Sequence, residues 1–456
     1  MNVQAVKKMN FESEKITSGE IQKWDPENQQ FWESEGSRIA WRTLSITTLA
    51  LVLSFATWFV MSAIAVRLPN VGFKFDNMQL FWLAAMPGLA GGTFRIIHMF
   101  LIPMYGTRKV VTVSTFLKLI PVIGIAMAVS DLSTPFWVFM VLAFLAGFGG
   151  GDFSSFMPST SLFFPKRLQG TALGIQAGIG NFGVSLVQFV TPWIIGFAAF
   201  GALSGEPQTF VKEAITKPMW LQNAVLCYLP FLLVMGFVAW IFLRRVPVKA
   251  SFSEQLDIFK NKHTWIMTSL YIMTFGSFAG FSAAFPLLIK SVYGKFPGAP
   301  DPLQFAFYGP LIGSLVRVVM GPLTDKWGGA VWTLLSGLGL LACAVGVTFF
   351  LTPESLEQFP YFVACMLGLF FFAGIGNAST FRQIPVIFTP RQAGGVLGWT
   401  GAVAAYGPFV FASVIGAVLA RTGSAVGFFV GASVFYALNV VLNWWYYYRN
   451  GAEVRC

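Results

Sequence analysis

The sequence predicts an all-α integral membrane protein with twelve transmembrane helices in two six-helix halves. Of its 456 residues, 55% are hydrophobic and only 11% are charged, whereas soluble domains carry about 25% charged residues. Apolar runs long enough to cross a bilayer as helices recur along the whole chain. Sequence features of the first half also recur in the second. These three observations exclude a soluble fold.

The apolar runs give the approximate positions of the twelve helices. They lie at 43–66, 79–103, 109–129, 136–160, 170–199, 219–243, 265–289, 303–323, 331–351, 360–387, 393–420 and 424–447. Cytoplasmic loops of membrane proteins are enriched in lysine and arginine. With the N-terminus inside, 19 of the 30 basic residues fall on the cytoplasmic side and seven on the other side. We therefore expect both termini to be cytoplasmic.

The same boundaries predict the domain organisation. We expect a cytoplasmic N-terminal tail at 1–42, a six-helix bundle at 43–243, a cytoplasmic linker at 244–264, a second six-helix bundle at 265–447 and a cytoplasmic C-terminal tail at 448–456. The net charge of +11 is explained by this topology, so we expect no nucleic-acid partner. The four cysteines are scattered and form no metal or disulfide pattern, and we expect no cofactor.

Two arginines lie inside apolar runs at matching positions of the two halves. Arg95 and Arg317 are 222 residues apart, and each is followed eleven residues later by a glycine in a short polar turn, Gly106 or Gly328. A second stretch, 151–156, is similar to 376–381 at nearly the same offset. These repeats favour duplicated, parallel six-helix halves, which is the architecture of the major facilitator superfamily.

The depth of the arginines suggests a binding site. Eleven helical residues rise about 16 Å, roughly half of the 30 Å hydrocarbon core. Both arginines should therefore lie near the membrane midplane, where a charge is costly and usually functional. The predicted spans hold four basic residues but one acidic residue, Asp152; the basic ones are Arg95, Lys118, Arg317 and Arg382. A mobile anion could balance this excess, and the planar guanidinium group suits a small planar oxyanion.

Other residues have both structural and functional interpretations. Asn181 lies among glycines, including Gly180, that are typical of close helix packing. The aromatic stripe that contains Tyr271 and Phe275 is, on spacing alone, more typical of packing than of a site. Asp152 could balance Arg382 or Lys118, or it could carry a proton, as could His98. We expect Lys118 to extend towards the cytoplasm.

The sequence resembles the nitrate/nitrite porters (NarK type) of the major facilitator superfamily. The resemblance is carried by the glycine-rich stretch 178–183 around Asn181, the two arginines, and the segment 163–166. It implies that the arginines grip nitrate or nitrite and that the phenylalanines sandwich the ion. By position, these binding roles fall on Arg95, Arg317, Asn181, Gly180, Tyr271, Phe153 and Phe275. It also implies a monomeric protein of the bacterial inner membrane.

The predicted mechanism is alternating access, in which two halves rock about the anion. Proton-linked nitrate uptake is slightly favoured because Asp152 and His98 could titrate, and strict nitrate/nitrite exchange is the alternative. A more distant alternative is a facilitator or channel for another small anion. A membrane enzyme is disfavoured because the sequence contains no recognisable metal or nucleophile motif. The expected partners are nitrate, nitrite, the lipid bilayer and, for symport, protons.

Overall fold

The computed structural model describes residue 21 and residues 23–212, 215–246 and 253–456. Within these residues, twelve helices are long and apolar enough to cross a membrane, which confirms the predicted number. They are α1 (Gln29–Val71), α2 (Asn77–Ile102), α3 (Met104–Ser130), α4 (Phe136–Phe163), α5 (Thr171–Ile194), α6 (Asn223–Phe242), α7 (Lys262–Tyr293), α8 (Pro302–Thr324), α9 (Gly329–Thr348), α10 (Leu356–Ile387), α11 (Gln392–Thr422) and α12 (Val426–Tyr448).

The two polar turns that follow the arginines have the same backbone geometry. Gly106, near the junction of α2 and α3, has a φ of 75° and a ψ of 160°. Gly328, between α8 and α9, has a φ of 84° and a ψ of 157°. A side chain is strained at such positive φ values, so glycine suits both turns. The equivalent conformation at equivalent positions supports the sequence repeat.

The first helix begins earlier than the predicted start at residue 43. The side chain of Asn28 caps its first turn by accepting a hydrogen bond from the Phe31 backbone at 3.0 Å. Trp32 is then buried against Phe164, whose ring centroid lies 5.7 Å away. Capping and burial therefore extend the helix into a polar segment that a hydropathy pattern assigns to the tail.

A β-hairpin between α5 and α6 was not predicted. Its strands, β1 (Gln208–Lys212) and β2 (Ile215–Met219), pair antiparallel. Phe210 and Met219 are buried while Thr209 and Val211 are exposed. This alternation is too short to stand out between two apolar spans. The hairpin also contacts the other half, since the Lys212 ammonium donates to the Ala299 carbonyl at 3.0 Å.

The two halves are joined at the end of the bundle that contains this hairpin. Arg67, at the end of α1, forms an ion pair with Asp301, which caps the start of α8. The Lys290 ammonium donates to the backbone carbonyl of Val66 at 2.6 Å. Both contacts link the first six helices to the last six, so the bundle is closed at this end.

Removing the charge of Asp301 should loosen this closure. Asn can still accept the capping hydrogen bond from the Leu303 backbone, which Asp301 accepts at 3.0 Å, but it cannot form the ion pair. We expect Asp301→Asn to speed maleimide labelling of a cysteine placed at the buried Val66 several-fold, because opening exposes that position. Asp131→Asn is the matched control, since Asp131 bonds Ser133 locally. Equal labelling rates in both backgrounds would contradict a gating role.

Candidate anion-binding site

Arg95 lies at the centre of the bundle and is fully buried. Its Nε donates to the carbonyl of Gly150 in α4 at 2.8 Å, and its Nη1 donates to the carbonyl of Gly401 in α11 at 2.7 Å. The second bond crosses from the first half to the last six helices. Nη2 has no hydrogen-bond partner among the described residues. Two nitrogens of the guanidinium group are therefore held by carbonyls, while the Nη2 amino group keeps its donors without a described partner.

Arg317 occupies the corresponding position in α8 and is 3% exposed. Its Nη2 lies 3.5 Å from the hydroxyl oxygen of Tyr271, a long hydrogen bond. Its Nη1 has no partner within the part of the chain that the structure describes. No carboxylate pairs with either arginine in that part of the chain. The two guanidinium groups thus keep their positive charge uncompensated by protein carboxylates.

Aromatic rings connect the two arginines. The guanidinium carbon of Arg95 lies 4.6 Å from the ring centroid of Phe153 and 5.0 Å from that of Phe275. Tyr271 stacks on Phe275, with centroids 5.4 Å apart, and on Phe381, with centroids 4.7 Å apart. Phe381 in turn lies 5.0 Å from the guanidinium carbon of Arg317. The structure therefore brings five of the predicted site residues into one cluster: Arg95, Arg317, Tyr271, Phe153 and Phe275.

Asn181 and Gly180 occupy different environments on α5. Asn181 is fully buried, and neither its amide nitrogen nor its carbonyl oxygen has a partner among the described residues. Such a group is costly to bury unless a ligand or water satisfies it. At Gly180, a Cβ would lie 2.6 Å from Leu51 of α1, so this glycine permits close helix packing. The assignment of both residues to anion binding stays a prediction.

Asp152 is paired with Lys118. The Lys118 ammonium contacts Asp152 Oδ2, which also accepts a 2.5 Å hydrogen bond from Ser54. Both charged side chains are fully buried. The expectation that Lys118 extends towards the cytoplasm is therefore wrong, because a buried carboxylate within reach stabilises the ammonium more than an incomplete path to water. Of the two partners considered for Asp152, the structure shows Lys118.

His98 lies beside this ion pair. Its Nδ1 is 3.0 Å from the Ser155 hydroxyl and 3.8 Å from Asp152 Oδ1. The His98 side chain is 10% exposed. His98 therefore belongs to the polar network around Asp152, outside the aromatic cluster. A proton-coupling role for His98 or Asp152 stays a prediction.

The sequence analysis missed two aromatic residues of the cluster. Trp58 of α1 lies 5.3 Å from the Arg95 guanidinium carbon, and its ring nitrogen donates to the Pro87 carbonyl at 2.7 Å. Phe381 covers Arg317, as described above. A signal existed for Phe381, because it ends the repeated stretch 376–381. Trp58 had no comparable signal in a chain with 15 tryptophans.

Comparison with known proteins agrees with this architecture. The sequence pattern of the Major Facilitator Superfamily matches residues 46–381. The chain is 62% identical to the "Probable nitrate/nitrite antiporter NarK2" of Thermus thermophilus, over 96% of this chain and 98% of that protein. It is 37% identical to the "Nitrate/nitrite transporter NarU" of Escherichia coli, over 97% and 99% of the two chains.

A solved structure supports the fold alone. The crystal structure of a bacterial homologue of the human lysosomal transporter Spinster, in an inward-facing and occupied conformation, gives a TM-score of 0.65 at 12% identity. The match covers 88% of this chain and 95% of that one.

The described residues contain twelve helices long and apolar enough to cross a membrane, and with the superfamily match they define a multi-pass membrane transporter rather than an enzyme. The chain belongs to the nitrate/nitrite porter family of the major facilitator superfamily.

Proposed function

We propose that this protein transports nitrate and nitrite across the membrane by alternating access, with Arg95 and Arg317 binding the anion. The main support for this proposal is the pair of buried guanidinium groups, each with a nitrogen that lacks a partner among the described residues. A buried charge without a counter-ion is costly, and a bound oxyanion would supply both the charge and the hydrogen-bond acceptors. The names of the similar proteins support nitrate and nitrite as the anions.

The surrounding side chains suit a flat, weakly basic anion. The rings of Phe153 and Phe275 are nearly parallel, with an interplanar angle of 26° and centroids 6.2 Å apart. Ring edges carry partial positive charge and can contact an anion. The Tyr271 hydroxyl and the Asn181 amide can donate hydrogen bonds without adding a competing negative charge. We assign these four residues to anion contact.

We further propose that transport is strict exchange of nitrate for nitrite. Without a bound anion, the empty transporter would have to pass through the closed state with two buried guanidinium groups that lack a counter-ion. This step is unfavourable. Asp152, the carboxylate considered for proton transfer, is already neutralised by the Lys118 ammonium. Proton-linked uptake remains the second candidate because Asp152 Oδ1 has no hydrogen-bond partner in the described chain and lies near His98.

Counterflow in proteoliposomes tests the exchange. Labelled nitrate should enter vesicles loaded with nitrite and should not enter nitrite-free vesicles, whether or not the outside is made acidic. We expect the entry of labelled nitrate to depend on the internal nitrite and not on the pH gradient. Acid-driven entry into nitrite-free vesicles would replace exchange by symport, and the absence of any nitrate entry would overturn nitrate transport itself.

We place the protein as a monomer in a bacterial inner membrane with both termini cytoplasmic. The distribution of basic residues in the sequence supports the orientation of the termini. With this orientation, the ion pair between Arg67 and Asp301 closes the outer side of the bundle.

A further inference from the structure

Asn377 of α10 is a buried amide to which the proposed function assigns no role. It is fully buried, and neither its nitrogen nor its oxygen has a hydrogen-bond partner among the described residues. An amide offers two donors and an acceptor with two lone pairs. Leaving all of them unsatisfied in a protein interior is unfavourable. A ligand at this position would remove that cost.

The position of Asn377 along α10 matches the depth of the arginines. It lies ten residues before the end of α10 at Ile387, which corresponds to roughly 15 Å of helix. The helix of α8 continues past Thr324 to Trp327, just before the turn at Gly328, and Arg317 lies ten residues before that end. The two residues are therefore at about the same height in neighbouring helices.

The packing of α10 directs Asn377 towards the site. Phe381 is four residues later, so the two side chains share one face of the helix, and Phe381 covers the Arg317 guanidinium. One turn earlier, Gly374 packs directly on α8, where an added Cβ would lie 2.6 Å from the Gly313 carbonyl. Ser314 of α8, one turn before Arg317, is also buried, and its hydroxyl has no partner in the described part of the chain. Two buried polar side chains without a described partner thus lie within about one helical turn of the level of Arg317, on α8 and on the neighbouring α10.

The equivalent position in the first half behaves differently. Asp152 aligns with Asn377 in the repeat at an offset of 225 residues. Its carboxylate is occupied by Lys118 and Ser54. The repeat thus places a carboxylate with a counter-ion in one half and, in the other, an amide without a partner among the described residues. Structural packing alone would not require that amide.

We infer that Asn377 is a further substrate-binding residue, which donates a hydrogen bond from its amide to the oxyanion held by Arg317. The inference rests on the proposed function and extends it to a residue outside the aromatic cluster. An amide at this point would favour an anion with a peripheral oxygen acceptor, as nitrate and nitrite both have. It would discriminate against halides, which offer no directed acceptor.

The test compares two buried asparagines of the last six helices. Asn439 of α12 is 1% exposed, but its amide is satisfied: Ser269 donates to its oxygen at 2.8 Å and its nitrogen donates to the Phe435 carbonyl at 2.9 Å. Removing a satisfied amide should destabilise the fold, whereas replacing an unsatisfied one by an apolar side chain should not. Asn439→Leu is therefore the matched control for Asn377→Leu.

Two readouts separate binding from stability. The first is the KM for nitrate in exchange against internal nitrite. The second is the Tm of purified protein in potassium nitrate or in potassium chloride at equal ionic strength, since a ligand raises the Tm of the state it binds. We expect Asn377→Leu to raise the KM about tenfold, in line with one lost hydrogen bond to a charged group. Its Tm in chloride should equal or exceed that of the wild type, and the nitrate-dependent rise should shrink.

The control should show the opposite pattern. Asn439→Leu should lower the Tm in chloride and leave both the KM and the nitrate-dependent rise unchanged. A wild-type KM for Asn377→Leu, or a fall in its Tm like that of Asn439→Leu, overturns the inference while the proposed function stands. A wild-type protein that exchanges no nitrate overturns the proposed function, and this inference falls with it.

Discussion

Replacing Arg95 by lysine is expected to lower kcat/KM for nitrate exchange at least 100-fold, although the charge is kept. Arg95 uses two nitrogens to donate to Gly150 and Gly401 and keeps a third without a partner in the described chain. A single ammonium cannot reproduce that planar geometry. Losing two charge-assisted hydrogen bonds from this planar group to the anion costs about 3 kcal/mol or more, which corresponds to roughly two orders of magnitude in kcat/KM. Arg317→Lys should also impair transport, because it too removes a planar fork.

Arg449→Lys provides the matched control. Arg449 also donates to a carbonyl, that of Trp445 at 3.0 Å, and its guanidinium carbon lies 3.6 Å from the Trp445 ring centroid. It differs from Arg95 in lying outside the site, beyond the end of α12. We expect near wild-type exchange from this variant. Wild-type exchange by folded Arg95→Lys and Arg317→Lys proteins would falsify the arginine clamp.

The fold could be predicted because several independent features of the sequence indicate it. Apolar length gives the spans, and the spacing from Arg95 to Gly106 is reproduced from Arg317 to Gly328. The structure gives both glycines positive φ angles, so the repeat in sequence has an equivalent in the backbone. The hairpin β1–β2 was not predictable in this way, since a few alternating residues between two spans carry a weak signal.

The site was only partly predictable. A charged residue inside a membrane span is rare and usually functional. The arginines could therefore be singled out from the sequence. Aromatic residues are not informative in a chain with 49 phenylalanines. Phe153 and Phe275 were proposed only through the family resemblance, and Phe381 and Trp58 were missed. Their roles depend on which helix faces meet, and spacing along one helix does not contain that information.

Lys118 shows the limit of reasoning from one segment. Its distance from the predicted start of its span suggested a side chain that reaches the cytoplasm. The structure buries it completely beside Asp152, which lies on another helix. Pairing between helices is a tertiary property, and a single span does not specify it. The same argument applies to Asn377, because its lack of hydrogen-bond partners among the described residues depends on how the helices pack.

Removing one member of the Lys118–Asp152 pair should destabilise the protein strongly. Lys118→Met leaves a buried carboxylate whose ion pair is lost, and Asp152→Asn leaves a buried ammonium without its counter-ion. Breaking a buried pair in this way typically costs 3 to 5 kcal/mol. We expect each single variant to unfold at a clearly lower temperature. Neutralising both residues, in Lys118→Met with Asp152→Asn, should recover most of the lost stability, which a double-mutant cycle can quantify.

The second half of the protein shows that the neutral arrangement is compatible with the fold. Asp152 corresponds to Asn377, and Lys118, twelve residues after Gly106, corresponds to Leu340, twelve residues after Gly328. Leu340 is fully buried as well. The charges therefore occur together in one half and are both replaced in the other. This is the pattern expected if they act as a pair.

The double variant also separates exchange from proton coupling. If the pair supports only the structure, the stable double variant should keep nitrate/nitrite exchange with an unchanged pH dependence, because no proton passes through Asp152. If instead the wild type takes up nitrate on acidification and the double variant loses only that activity, Asp152 carries the proton and strict exchange is wrong. A double variant no more stable than the single variants would show that the ion pair does not account for their instability. We expect the double variant to keep exchange with an unchanged pH dependence. The Lys118 ammonium already neutralises the Asp152 carboxylate, as a transferred proton would.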